Sequence, residues 1–215
     1  MPKRKAKDPE RSPDLPHNWI ERHLARLTEY LYDDPIILSA WAYRRTRLVG
    51  PGQYEEIDME WGDIQLGEEW GGEDVTGLFR TTLTVPISHA GSDAALDISL
   101  DGGEAQLKID GQPGQGWDWF RHIVPLGKFA QAGRTLTLEL EAYGINYPSD
   151  ERRDDERPHH RFARARLVKL DRDIEAFLFD AYFVLDAYRG CYARDDNRLL
   201  EEFRLRHLEA ACRAI

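Results

Sequence analysis

The sequence predicts a mainly β fold, a two-layer sandwich of jelly-roll type with an N-terminal helix and a C-terminal helical hairpin. Three observations lead there. Between Leu78 and Leu140 the hydrophobicity alternates with a period of two in run after run, so each run has one wet and one dry face. Turn signals punctuate the runs: Pro86, His89-Ala90-Gly91-Ser92, Asp101-Gly102-Gly103, Asp110-Gly111 and Ala132-Gly133. Outside this stretch, at both chain ends, the period changes to that of a helix. Short antiparallel strands that each bury one face must stack on a second sheet.

Taken in order, the chain opens on MPKRKAKDPERSP, and residues 1–17 read as a disordered basic terminus. Asn18 is placed to cap a helix whose Ile20, Leu24, Leu27 and Leu31 share a stripe, and Asp33-Asp34-Pro35 is placed to stop it. IILSAWAYRRTRLV reads as extended, with Pro51-Gly52 as a turn, and EEIDMEWGDIQLGEEWGG as an irregular path over one end of the sandwich. The strand runs then bury Phe79, Leu83 and Val85; Leu96, Ile98 and Leu100; Leu107 and Ile109; and Leu136, Leu138 and Leu140. AYGINYPSDERRDDERPHH has no periodicity and reads as a polar loop before a last strand in RFARARLVKLD. A helix follows from Asp173 to Arg189, its face made by Ile174, Phe177, Leu178, Ala181, Leu185 and Tyr188, with Gly190 as its stop. A final helix begins at Asp195 or Asp196 and carries Leu200, Phe203, Leu208, Ala211, Cys212 and Ile215. That helix reaches Ile215 with no stop signal, which points to the front part of a longer polypeptide. The domain boundaries expected are therefore 18–170 for the sandwich with its N-terminal helix and 171–215 for the helical extension.

With 215 residues, 41% hydrophobic and 32% charged, the chain can bury one good core. Its net charge of -10 comes from acids scattered through every segment and argues against nucleic acid as a partner. The basic start has no apolar run behind it, and no stretch approaches the roughly 18 apolar residues of a membrane span. Two cysteines, Cys191 and Cys212, do not make a disulfide framework, so a reducing, cytoplasmic location is expected.

The segment Gly116-Trp117-Asp118-Trp119-Phe120-Arg121-His122 combines what sugar sites use, aromatic faces for C–H surfaces and planar polar groups for hydroxyls. Trp117, Trp119, Arg121 and His122 are its candidate carbohydrate-binding residues. Against that stands a packing role, in which Trp117 and Trp119 cap the core or meet a neighbouring domain. Trp61 and Trp70, flanked by glycines, admit the same two readings with packing favoured. Glu55, Glu56, Asp58, Glu60, Glu68, Glu69, Glu73 and Asp74 read as a solvated face rather than a catalytic pair, which needs two spaced carboxylates with one pKa raised. Ser88-His89 stands at a turn without a nucleophile elbow, and the neighbours His159-His160 are not spaced to converge on a metal. No catalytic residue and no metal ligand is assigned.

Several of these motifs occur together in one family. WGDIQLGEEWGGEDVTGLFRTTLTVP resembles the tryptophan-containing entry and first strand of the N-terminal domain of cytosolic and vacuolar type α-mannosidases, glycoside hydrolase family 38. LDGGEAQLKIDGQPGQG, RTLTLELEA and RFARARLVKLD follow in the family's order, so the resemblance runs from about Trp19 to the helical pair. FRTTLTVP and LKIDGQPGQG are also similar to the galactose-binding-like sandwich that precedes other glycosidase catalytic domains. The resemblance implies an accessory, non-catalytic domain that positions a following α/β catalytic domain of the same polypeptide. In that family the catalytic domain opens with a His-x-His zinc motif, which is absent here, so this chain needs no cofactor while zinc is expected in its parent. A homo-oligomer and a carbohydrate ligand are further partners the resemblance admits. The alternative is a free-standing carbohydrate-binding module built on Trp117, Trp119 and Arg121. Helix stripes left open at Phe203, Leu208 and Ile215 would favour the accessory domain.

Overall fold

The computed structural model describes residues 16–72, 74–101, 104–118, 121–144, 160–194 and 198–214. In chain order they form α1 (Pro16–Leu27), β1 (Tyr32–Ile37), β2 (Trp41–Gly50), β3 (Gln53–Glu56), β4 (Gly62–Ile64), β5 (Glu69–Trp70), β6 (Thr76–Thr84) and β7 (Ala94–Ser99). Then come β8 (Glu104–Ile109), β9 (Gln112–Trp117), β10 (Ile123–Pro125), β11 (Thr135–Tyr143), β12 (His160–Arg161), β13 (Arg164–Leu170), α2 (Arg172–Arg194) and α3 (Arg198–Ala214). Two compact units result, Asp33–Leu170 and a second made from Met1–Tyr32 together with Asp171–Ile215.

The first unit is a mainly β sandwich. One sheet runs β3-β2-β6-β11-β8-β9 with β4 also paired on β2; the other runs β1-β13-β7-β10; β5 and β12 form a small pair. Alternation explains the layers. On β11, Leu136, Leu138, Leu140 and Ala142 are all buried, and the register sets Leu136 against Leu83 and Leu140 against Phe79 on β6. Leu96 and Ile98 of β7 with Ala165 and Leu167 of β13 face them from the other sheet, and both sets belong to one core. A fully buried Leu contributes about 1.5–3 kcal/mol, so this face holds the sheets together. Around Phe79 the core turns aromatic: Trp70 and Phe162 lie edge-on or tilted with ring centroids 5.4 Å away, and Tyr43 at 4.8 Å. Gly77 makes this possible, because a Cβ there would stand 2.9 Å from Phe79 Cε2 and 3.0 Å from carbons of Trp70 and Tyr43.

The Asp-Gly turn behaves as expected. Asp110 and Gly111 have φ of 51° and 70°, the pair of left-handed residues that a two-residue hairpin between β8 and β9 requires.

Several expectations are corrected. IILSAWAYRRTRLV is extended as expected, in two strands, β1 and β2, parted at Leu38–Ala40, whereas Asp33-Asp34-Pro35, expected to stop the helix, lies within β1. The stretch expected to be irregular supplies β3, β4 and β5, too short and too acidic to show alternation. Asn18 is inside α1 rather than at its cap; the helix starts at Pro16, whose missing N–H costs nothing in the first turn. The chain leaves α1 at Leu27 through a single 3-10 turn, Thr28–Tyr30.

In the second unit α1, α2 and α3 pack on one another, so α1, placed with the sandwich by its sequence position, groups with the C-terminal helices. Asp171 caps α2, its Oδ1 accepting the N–H groups of Asp173 and Ile174 at 3.0 Å each. Leu178, Ala181, Leu185 and Tyr188 form the buried stripe of α2. Gly190 does not end the helix, which continues to Arg194; one interior glycine costs only about 1 kcal/mol. Among the described side chains of α3, Leu205, Leu208 and Cys212 are buried, and burial pushes the Cys212 thiol up. Ile215 and the loop over 145–159 lie outside the described residues, as do residues 1–15. No helix among the described residues is long and apolar enough to cross a membrane.

Candidate functional site

The strongest polar constellation arises from strand register. In β7, Leu96 and Ile98 point into the core, so Asp97 and Ser99 project from the opposite side of the sheet. The neighbouring β13 sets Arg166 opposite Asp97 and Arg164 opposite Ser99. His122 enters just before β10, whose Ile123 also pairs with Asp97.

Asp97 is fully buried at the centre. Its Oδ1 accepts from His122 Nδ1 at 2.9 Å, its Oδ2 accepts from Arg166 Nε at 2.8 Å, and Arg164 Nε lies 2.8 Å from the same oxygen. Burial by itself would raise the pKa of this carboxyl; His122, Arg164 and Arg166 overcome that and bring it down to about 2. An ionised carboxylate only accepts, so Nδ1 of His122 carries the proton of that hydrogen bond and Nε2 is left for another partner.

Beside this cluster lies a recess of about 350 Å³ lined by Ser99, Asp101, Trp117, His122 and Arg164. Trp117, at the end of β9, is only 3% exposed, and its indole N–H donates to the Ile98 carbonyl at 2.8 Å. It walls the recess and does not offer a free stacking face. Arg121 points elsewhere: Asp118 takes its Nε at 2.8 Å, and this pairing raises the guanidinium pKa. Trp119 lies outside the described residues. Of the four candidates from sequence, Trp117 and His122 therefore meet at the recess and Arg121 is engaged by Asp118.

Asp97, Ser99, Asp101, Arg164 and Arg166 escaped the sequence reading. The signal was there in LDISL and RARL, where charged residues occupy the outward positions of otherwise apolar strands, yet it takes the register between β7 and β13 to bring them together.

The other groups have structural roles. Trp61 lies under the guanidiniums of Arg80 and Arg44, 4.6 and 5.2 Å from its ring centre. Trp70 is buried and donates to the Leu100 carbonyl at 2.8 Å. In the acidic stretch, Glu56 pairs with Arg44 at 2.9 Å, and Asp58 binds Arg45, which holds its carboxyl below the usual range. His89 is buried: Nε2 donates to the Asp34 carbonyl at 2.7 Å, which leaves Nδ1 facing the Ser88 hydroxyl at 3.0 Å. His160 packs on Trp70, while His159 lies outside the described residues. Among the described residues no three His, Cys, Asp or Glu side chains gather as a metal site.

No known protein-family profile matches this sequence, and no curated protein matches it. Among solved structures it is similar to the FMN-binding β-glucuronidase from Faecalibacterium prausnitzii L2-6, with 15% identity and a TM-score of 0.44 over 63% of this chain and 22% of that one. It is also similar to the Ruminococcus gnavus β-glucuronidase (7% identity, TM-score 0.44, 65% of this chain and 29% of that one). A third is the β-D-glucuronidase of Dictyoglomus thermophilum (8%, 0.42, 64% and 28%). The chain spans less than a third of the length of each of these structures. At that depth the likeness carries no conclusion about activity.

Proposed function

We propose that this chain is an accessory β-sandwich domain of an α-mannosidase-type glycoside hydrolase, and that it seats and positions a catalytic domain of the same polypeptide. The observation that carries the reading is the outer face of α2. Phe179 and Phe183 are 73% and 70% exposed, and Tyr182 lies beside them on the same stripe. Phe203 of α3 is likewise open at 59%, whereas Leu208 is buried in its own unit. Four large aromatic side chains in water are costly for a self-sufficient module and useful for one that docks.

Site chemistry favours the same reading. A retaining glycosidase needs one carboxyl with a raised pKa beside an ionised one. The buried carboxylate here, Asp97, is moved the other way by its two arginines and histidine. Hydrolysis of terminal α-mannosides, with its zinc, would belong to the parent's catalytic domain, in a reducing compartment where Cys212 stays a thiol.

The reading frame after the Ile215 codon tests this directly. A continuation that carries a His-x-His motif, in a protein that cleaves aryl α-mannosides, supports it; a stop codon there, or mannosidase activity in the 215-residue chain alone, overturns it. In the longer protein, Phe179→Ser with Phe183→Ser should lower the thermal transition and activity of the whole enzyme. The same pair in the isolated chain should change stability by no more than about 0.5 kcal/mol, because nothing is lost from its own core. Sedimentation equilibrium of the isolated chain reports whether a second copy takes that face instead.

A further inference from the structure

We propose that the recess beside Asp97 is a saccharide-binding site that takes one neutral, hydroxylated ring through Ser99, Asp101, His122 and Arg164. This goes beyond the accessory role, which rests on the helical unit, and stands independently of it.

The recess lining has unmet hydrogen-bonding capacity. Asp97 engages His122 only at Nδ1 and Arg164 at Nε. Among the described residues the Ser99 hydroxyl, the Asp101 carboxylate, His122 Nε2 and the terminal nitrogens of Arg164 have no protein partner, and all four residues line the same recess. A volume of about 350 Å³ sits at the lower end of pockets that hold small molecules, roughly 300–1,000 Å³.

Charge decides the ligand class. The lining and the cluster behind it carry two carboxylates, Asp101 and Asp97, and two guanidiniums, Arg164 and Arg166, both of which pair with Asp97. A free anion meets two carboxylates and a free cation two guanidiniums, so neither gains from entering. What the lining does offer is mixed polarity at short range. Arg164 donates, Asp101 accepts, Ser99 does both, and His122 has Nε2 left over because Nδ1 is engaged by Asp97. Vicinal hydroxyls complement that mixture, since each can donate to one group and accept from its neighbour. The buried Trp117 closes the recess on one side without offering a stacking face.

The site differs from the loop that the sequence singles out, because Arg121 is held by Asp118 and does not line the recess. That difference gives the test. The full chain, labelled with ¹⁵N, is titrated with methyl α-D-mannopyranoside and methyl β-D-glucopyranoside while the Trp117 indole N–H and the His122 ring are followed. At least one glycoside should shift both resonances with a Kd of about 1–10 mM. Asp101→Gly, which suits the left-handed backbone at that position, should weaken binding about tenfold, and Ser99→Ala about threefold. Arg121→Ala should leave the Kd unchanged.

Absence of any shift up to about 100 mM glycoside overturns the proposal, as does binding that survives both recess variants or is abolished by Arg121→Ala. Glucuronate is the charged control; if it binds and the neutral glycosides do not, the neutral-ring assignment is overturned. None of these outcomes touches Phe179 or Phe183, so failure here and failure of the accessory-domain reading are told apart.

Discussion

Arg166 stands directly across the β7–β13 pair from Asp97 and donates its Nε to that buried carboxylate at 2.8 Å. With Arg164 and His122 it keeps the carboxyl ionised down to about pH 2. The folded-state pKa is below the ordinary 3.8, so this cluster's stabilisation is present above about pH 3.8 and is lost as the pH falls towards about 2. The depression corresponds to something on the order of 2 kcal/mol. Urea unfolding at pH 5 and pH 2.5 checks it. The acid-induced loss should be smaller by about that amount in Asp97→Asn, which at neutral pH is itself destabilised by about 3–5 kcal/mol because two guanidiniums lose their counter-charge.

Gly77→Ala tests the aromatic cluster. Three ring carbons, from Phe79, Trp70 and Tyr43, stand within 3.0 Å of where the new methyl would be, and all belong to side chains wedged in the core. Overpacking of this kind costs about 1–3 kcal/mol, read as a lower urea midpoint with an unchanged slope. A midpoint equal to the parent's would mean that the rings are packed less tightly than this.

Tyr43 gives a spectroscopic check on the same region. Burial pushes its phenol up to about 12, against a smaller lowering influence from the N–H of Gly71, which donates to its oxygen at 3.1 Å. Since the folded-state pKa is the higher one, this stabilisation holds below about pH 10 and disappears as the pH rises through about 12. Ultraviolet titration of native protein should show Tyr43 and Tyr54 among the late phenols, the second raised by burial and by Glu141, and Tyr43→Phe should remove one of them.

The layers of the sandwich were legible because Leu136, Leu138 and Leu140 fall on every second residue of a long strand, a pattern that only burial on one side explains. The short strands were not. β5 is Glu69–Trp70, too brief for any period to emerge, and its strand character comes from β12, some ninety residues later in the chain. Gly190 misled because a helix that packs along Leu178, Leu185 and Tyr188 outweighs one poor helix former. At the site, His122 and Trp117 stood out as residues with chemistry, whereas Asp97 was hidden in an apolar run. Its significance depends on which two arginines stand across from it, and that is a matter of pairing rather than of local sequence.

Trp117 and Trp70 each spend their indole N–H on a backbone carbonyl in the same short stretch, at Ile98 and Leu100. Apolar contact between layers has no preferred direction and resists sliding poorly. A hydrogen bond from the Trp117 end of one sheet to the β7 backbone of the other acts as a dowel: it fixes where one layer sits along the other and makes slippage cost a bond in a place water cannot reach. Through that bond the Ser99 end of β7 is set at a fixed offset from the Trp117 end of β9.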